Sequence, residues 1–413
     1  MRQGAAGNGD RAEARGPDEG SRRAGGRCRY LVCIPDGAAD DPSSALGGRT
    51  PLEVASMPVL SALALAGRRG EARTIPTGMP AASDVGIMAI LGYDPAVHHT
   101  GRAPLEAASL GVPVRAGRTV FRANLVTVDD DGTMVDFSGG HPPPDLARQA
   151  VRLLQDRLGG EATFHAGLGY RNLMVAPRAW GGAVCVPPHD TVGRVAPAPR
   201  GPGAAALSRV MAASRTVLDP LPMAANQIWL WGQGTPLRLP AFRHRYGVGG
   251  ALVGAVHVAR GTAVAAGLTV LDAPGATGWY DTDYAAKRDT AIAAYRSGAD
   301  VVVVHVAATD EAGHAGDLRA KTAALEAWDR QILDGLTRYL AATGRWKLLW
   351  IPDHVTSTEL RAHTDGPVPY VVYDSAGPAP CEPHRGRRGP VPAHLLLPAV
   401  LGLPAAAAGA RVR

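Results

Sequence analysis

The sequence predicts an α/β fold: a doubly wound, mainly parallel sheet with a smaller α+β domain inserted into it. Two observations carry that prediction. Short apolar runs of strand length alternate with stretches of helical period over the first hundred residues and again from about residue 224 onward, the texture of βα units whose sheet is covered on both faces. Between them the chain changes character. Residues 113–223 carry hairpin-like signals and a Pro- and Gly-rich stretch, Pro187–Pro202. The expected organisation is a discontinuous main domain, 28–112 plus 224–404, an inserted cap domain, 113–223, and tails at 1–27 and 405–413.

The elements follow in chain order. Arg29–Pro35 (RYLVCIP) reads as a buried strand that delivers Asp36 at its C-terminal end. A helix is expected from about Leu52 to Ala66. The Pro- and Gly-rich loop Ile75–Ala82 then leads to Ser83, and Asp84–Leu91 reads as a helix stopped by Gly92 and Pro95. Ser83 therefore stands at a helix N-terminus, where free amides and the macrodipole favour an anion. In the inserted block, Thr119–Val128 alternates like a strand and Asp131-Gly132 makes a hairpin turn. Helices are expected over Asp145–Leu158 and Ala204–Leu218, with short strands near Ala162–His165 and Asn172–Ala176. Main-sheet strands are then expected at Gln227–Trp231, Ala251–His257, Asp300–Val306, Lys347–Ile351 and Val368–Tyr373, with helices at Tyr284–Arg296 and Leu318–Leu340.

Composition bounds the function. The net charge of +6 in 413 residues comes from basic residues spread along the chain. Small clusters occur only in the N-terminal tail and at Arg385, Arg387 and Arg388, with no aromatic interleaving, so nucleic acid is not an expected partner. No apolar run reaches membrane-spanning length, which removes a membrane role. The first 27 residues or so are Gly, Ala, Arg and acidic, without the apolar segment of a secretory signal, and read as an unstructured extension. The four cysteines (Cys28, Cys33, Cys185, Cys381) show no CxxC spacing. That pattern points to a reduced, cytoplasmic setting without structural zinc. Arg dominates the cations, and Lys occurs only at Lys287, Lys321 and Lys347.

Several residues capable of metal chemistry follow the apolar runs. Asp310 and His314 are four apart, so one helical turn presents both on one face. A surface ion pair has the same spacing. Asp353-His354 directly follows Lys347–Ile351; adjacent residues point apart, which suits two ligands addressing two neighbouring ions. His363 lies in the turn-rich stretch beyond. Mixed carboxylate and imidazole ligands suit Mn²⁺, Zn²⁺ or Co²⁺ better than Ca²⁺. Two such ions polarise a phosphoryl group, and coordination together with a helix N-terminus gives Ser83 the lowered pKa that a nucleophile needs.

On these residues the chain resembles the cofactor-independent (2,3-bisphosphoglycerate-independent) phosphoglycerate mutases, of the shorter archaeal-type branch of the alkaline phosphatase superfamily. The resemblance runs from about Arg29 to Asp365. It rests on Pro80–Pro95 (PAASDVGIMAILGYDP), Thr100–Ala108 (TGRAPLEAA), Gly169–Arg171, Pro188–Asp190, Ala225–Gly234 (ANQIWLWGQG), Pro274–Tyr284 and Asp310–Asp317. It implies an alkaline phosphatase-like fold and two divalent ions, Mn²⁺ first with Zn²⁺, Co²⁺ or Mg²⁺ as alternatives, and no 2,3-bisphosphoglycerate. One ion would be held by Asp310, His314 and His363, the other by Asp36, Ser83, Asp353 and His354. Ser83 would carry a phosphoryl group between the 3- and 2-positions of glycerate. Lys287 would neutralise charge on that phosphoryl group, and Arg102, Arg171 and Arg194 would grip phosphate or carboxylate, since Arg matches both bidentately.

The chain departs from the family pattern at Ala307 (usually Glu), His257 (usually Asp), Pro352 (usually Gly) and Arg194 (usually Lys). It also departs in a shortened Leu221–Ala225 and a Pro- and Arg-rich Ser375–Pro392. The expected substrate is a small phosphorylated hydroxy acid. The alternatives are a diverged paralogue acting on a phosphonate or phosphinate intermediate, a homoserine kinase-like phosphotransferase, a Zn²⁺ phosphodiesterase, and a binding protein on a catalytically dead scaffold. In every catalytic version the inserted domain closes over the metals, with hinges expected near Gly111–Pro113 and Leu218–Ala225.

Overall fold

The computed structural model describes residues 28–377 and 389–404. The two expected tails, Cys381 and the arginines at 385, 387 and 388 lie outside them. At the centre is an eight-stranded sheet in the order Val391–Pro392, Arg68–Arg73, Val368–Asp374, Trp346–Trp350, Arg29–Pro35, Val301–Val306, Gly250–Val253 and Thr269–Leu271. The run from Trp346–Trp350 to Thr269–Leu271 is parallel throughout. Val368–Asp374 joins it antiparallel on one side. Mostly parallel pairing explains the near-continuous Val and Leu of these strands, since each must be buried on both faces.

The pleat sorts those side chains into two cores. Val32, Ile34, Val301, Val303, Leu349 and Ile351 face one side, against helices Ser83–Ile90, His257–Ala265 and Leu396–Val400. Leu31, Cys33, Val302, Val304, Leu348 and Trp350 face the other, against Pro58–Ala66, Tyr284–Arg296 and the helical run from Leu318 to Thr343. Alternate residues of one strand thus belong to different layers, as period-two geometry requires. The sheet is doubly wound.

A second sheet is antiparallel and built around Arg118–Val128, which pairs with Met134–Asp136, Arg171–Pro177 and Gln227–Gly234, while Thr163–Leu168 adds to Arg171–Pro177. Helices Pro144–Leu158 and Ala204–Leu218 bury one face, through Val151, Leu154, Leu207 and Met211 against Phe121, Met174 and Trp229. The opposite face, through Val120, Leu173 and Val175, packs on Ala103 and Ala107 of helix Arg102–Ser109. That helix reaches the main sheet through His257–Ala265, where Gly261 makes room: any Cβ there would strike the Leu105 carbonyl.

The structure corrects several sequence expectations. Gln227–Gly234 is a strand, but of the small sheet, so the second crossing lies after Gly234 and not near Leu218–Ala225. Its apolar run marks a buried strand; which sheet it joins depends on the fit of Ile228 and Leu230 into the small core. The helix expected over Leu52–Ala66 breaks at Met57-Pro58, because proline cannot donate within a continuous helix. Strand Gly250–Val253 stops early, and His257 opens a helix. Arg68–Arg73 (RRGEAR) carries too little apolar alternation to read as a strand, yet it pairs with Val368–Asp374.

Candidate active site

Three neighbouring strands end at one place. Arg29–Pro35 delivers Asp36, Val301–Val306 leads into helix Ala308–Ala315 with Asp310 in its first turn, and Trp346–Trp350 leads to Asp353 and His354. These are C-terminal ends of adjacent parallel strands, the crevice where open α/β sheets bind ligands. The hairpin Val355–Ser357/Ala362–Thr364 folds back and brings His363 opposite Thr356. Ser83 is the first residue of helix Ser83–Ile90, and Ala82 before it offers no side-chain cap, so the leading amides stay free for an anion. Gly86 lets that helix approach, since a Cβ there would meet the Asp353 carbonyl.

Two groups of ligand atoms lie each within 4.8 Å: Asp310, His354 and His363, and Asp36, Asp353 and His354. His363 Nε2 is 3.1 Å from Asp310 Oδ1 and 2.8 Å from His314 Nε2. His354 Nε2 is 3.4 Å from Asp36 Oδ1, 3.4 Å from Asp353 Oδ2 and 3.1 Å from Ser83 Oγ. The expected residues Asp36, Ser83, Asp310, His314, Asp353, His354 and His363 therefore come together from five separate segments. His354 stands between the two groups.

The electrostatics fit divalent ions. Burial, then the charges of Asp353 and Asp310, hold the Asp36 carboxyl well above the usual carboxylate range. Burial alone would also raise Asp310, but the hydrogen bond from His363 and the charges of the neighbouring imidazoles hold it well below. Asp36 Oδ1 and Asp353 Oδ2 are buried with no hydrogen-bond partner. Lone pairs stranded beside imidazole nitrogens are costly unless a cation takes them. The donor set of carboxylates and imidazoles is that of first-row divalent ions.

The other sequence candidates are placed differently. Arg102 opens helix Arg102–Ser109 with Nη1 3.6 Å from Asp84 Oδ1 and Nε 3.4 Å from Glu106 Oε1. Arg171 stacks on Tyr170 at 4.7 Å, and its charge acts on Glu311 beside Asp310. Arg194 is exposed on a turn, its main chain bonded to Met134 and Thr191, and it is not brought to the ligands. Lys287 is fully buried, with Nζ 3.3 Å from the His305 carbonyl. His305 in turn faces Asp36 Oδ2 at 3.1 Å, so this lysine stands behind the ligands.

Sequence reasoning missed three partners. Glu106 is buried between Arg102 and Arg122, with Arg122 Nε 3.0 Å from its Oε2. Arg122 also lies 4.3 Å over the Trp231 ring, and burial lowers its pKa to about 10. His99 binds Asp84 Oδ2 at 2.6 Å. The only signal for them was the TGRAPLEAA stretch, which contains Glu106 but says nothing of its partners.

Comparison with known proteins adds a family. A model of the 2,3-bisphosphoglycerate-independent phosphoglycerate mutases matches residues 64–224. A 2,3-bisphosphoglycerate-independent phosphoglycerate mutase of Methanothrix thermoacetophila is 41% identical over 360 residues, 84% of this chain and 91% of the relative. A probable one of Geobacter sulfurreducens is 40% identical, covering 84% and 90%. Among solved structures, a Pyrococcus horikoshii protein aligns with a TM-score of 0.71 at 24% identity, over 94% of this chain and 99% of that one. A cofactor-independent phosphoglycerate mutase from Thermoplasma acidophilum aligns at 0.53 and 24%, covering 84% and 89%. At that identity the structures speak for the fold.

Proposed function

The chain belongs to the 2,3-bisphosphoglycerate-independent phosphoglycerate mutases, and from that premise we propose that it interconverts 3- and 2-phosphoglycerate through a phosphoserine on Ser83. The observation that carries the residue assignment is the position of Ser83 Oγ, at a free helix N-terminus and 3.1 Å from His354 Nε2, beside both ligand groups.

Asp36, Asp353 and His354 would hold one divalent ion, and Asp310, His314 and His363 the other; we propose Mn²⁺. Bound there, the ions supply charge stabilisation of the transferring phosphoryl group and a lowered pKa for the serine hydroxyl. The chain's own residues do the rest. Ser83 loses its proton and attacks phosphorus, the Oγ–P bond forms, and the P–O3 bond breaks as the 3-oxygen of glycerate takes a proton. After glycerate turns in the site, its 2-hydroxyl loses its proton and attacks the same phosphorus, the P–O2 bond forms, the Oγ–P bond breaks, and Ser83 Oγ regains a proton. The helix amides before Val85 stabilise charge on the phosphoryl oxygens. Arg102, Arg122 and Arg171, close enough for their charges to act on one another, would hold the substrate's carboxylate and phosphate while it turns. Contact between helix Arg102–Ser109 and the small sheet couples that grip to closure over the site, which keeps water from the phosphoserine.

A cytoplasmic place is part of the same proposal, supported by the free thiols of Cys28, Cys33 and Cys185. None of the described helices is long and apolar enough to cross a membrane. The function is tested by ³¹P NMR of the Mn²⁺-loaded protein with 3-phosphoglycerate. The expected result is growth of the 2-phosphoglycerate signal to an equilibrium ratio. A folded, metal-loaded protein that leaves 3-phosphoglycerate unchanged would overturn the substrate assignment.

Lys287 gives a separate prediction. Burial lowers its pKa from 10.5 to about 8, so the folded chain disfavours the charged form that the unfolded chain keeps up to its own higher pKa. Stability therefore rises with pH between those values, and the penalty is full below the lower one. Replacing the ammonium in Lys287→Met should stabilise the protein by on the order of 3 kcal/mol at about pH 7 and by little at about pH 10. Urea unfolding at both pH values checks this, and a loss of turnover in the stabilised variant would mark Lys287 as functional.

A further inference from the structure

One hydroxyl touches both candidate metal positions. Thr356 is fully buried in the strand Val355–Ser357. Its Oγ1 lies 2.7 Å from Asp310 Oδ1 and 3.1 Å from His354 Nδ1. Asp310 belongs to one ligand group, and His354 is shared between that group and the one it forms with Asp36 and Asp353.

A hydroxyl has a single proton to give. The Thr356 hydroxyl donates to Asp310 Oδ1 at 2.7 Å, where the carboxylate oxygen is the acceptor. The Thr356 proton therefore goes to Asp310 Oδ1, and toward His354 the oxygen can only accept. The His354 ring must then carry its own proton on Nδ1, which leaves the Nε2 lone pair free. Nε2 is the nitrogen that faces Ser83, Asp36 and Asp353.

We propose that Thr356 is a positioning residue that fixes the His354 proton on Nδ1, presents Nε2 as a ligand nitrogen, and ties the two metal positions together through one hydroxyl. The proposal rests on the reading that these residues hold divalent ions.

The surroundings hold this hydroxyl in place from every side. The Thr356 amide donates to the Ala39 carbonyl at 3.1 Å. Its own carbonyl accepts from Lys321 Nζ at 2.6 Å. Lys321, fully buried, also bonds the Ala39 carbonyl at 3.2 Å and Asp40 Oδ2 at 2.8 Å, and Asp40 takes the amide and hydroxyl of Thr358. The turn after Asp36 and the hairpin carrying His363 are thus locked to one another beside Thr356. Two glycines clear the space for its side chain. Gly37, at φ +59°, would put a Cβ into Oγ1, and a Cβ on Gly313 would fall 2.6 Å from Thr356 Cγ2. Both glycines lie next to ligand-bearing segments, at Asp36 and between Asp310 and His314.

Imidazole tautomers can be read in the metal-free protein by long-range ¹H–¹⁵N correlation, with His354 assigned from the spectrum of His354→Gln. The wild type should show His354 protonated on Nδ1. Thr356→Val keeps the shape and removes the hydroxyl; it should lose the fixed tautomer and bind Mn²⁺ about 10- to 100-fold more weakly by calorimetry. Thr356→Ser should restore both. A merely packed threonine would leave the tautomer of the valine variant unchanged, and that result together with wild-type Mn²⁺ affinity would overturn the proposal. So would a wild-type spectrum with the proton on Nε2, a result that does not depend on the valine variant folding. Neither readout involves turnover, so failure to convert 3-phosphoglycerate would count against the mutase assignment alone.

Discussion

Ser83→Ala is expected to lower phosphoryl transfer by roughly 10⁴-fold or more, because Ser83 Oγ is the hydroxyl held at the helix N-terminus beside His354. Acid-quenched protein incubated with labelled 3-phosphoglycerate should retain label in the wild type and none in the variant. The substitution removes one hydroxyl, with its contact to His354, at a cost of about 1 kcal/mol. Mn²⁺ binding should survive, since Asp36, Asp353, His354, Asp310 and His363 are untouched. Near-wild-type turnover in Ser83→Ala would end the phosphoserine mechanism. Loss of metal as well as turnover would instead make Ser83 a dominant ligand.

The parts of this molecule that are legible in its sequence are those governed by local period. Arg29–Pro35 must be buried because every second residue on both faces is apolar, and Asp36 then falls at a strand end without further information. Asp310 and His314 share a helical face by spacing alone. What stays hidden is pairing between distant segments. The run of Gln227–Gly234 specifies a strand but not its partner, and only the small core around Phe121 and Trp229 shows where it belongs. Arg122 and Glu106 look like ordinary surface charges until the small sheet docks on helix Arg102–Ser109 and buries them together. Thr356 gives no sequence signal at all, since its role depends on one hydroxyl reaching two segments at once. The scarcity of lysine is the exception. Two of the three, Lys287 and Lys321, are fully buried at the site's margin, where an Arg-rich chain still uses the smaller cation.

Removing the metal should cost both activity and stability, and Asp353→Asn should separate the two. Asp36, Asp353 and Asp310 crowd one buried place, and Asp36 Oδ1 and Asp353 Oδ2 lack partners. Burial and the charges of Asp353 and Asp310 penalise the ionised Asp36 in the metal-free chain, a penalty that divalent ions relieve. A ligand that binds only the folded state adds about 2.7 kcal/mol at a hundred times its Kd. Chelation should therefore abolish turnover and lower Tm, and added Mn²⁺ should raise Tm with the logarithm of its concentration. In Asp353→Asn the amide keeps an oxygen for the Gly37 amide, now 3.0 Å from Asp353 Oδ1, and removes one charge from the cluster. The metal-free variant should gain about 1–3 kcal/mol, while its Mn²⁺-dependent rise in Tm shrinks and kcat/KM falls by roughly 100-fold or more. This is the exchange of stability for activity that buried functional charges impose. A metal-free Asp353→Asn protein less stable than wild type, with its Mn²⁺ response intact, would show that Asp353 serves the Gly37 turn and not the ion.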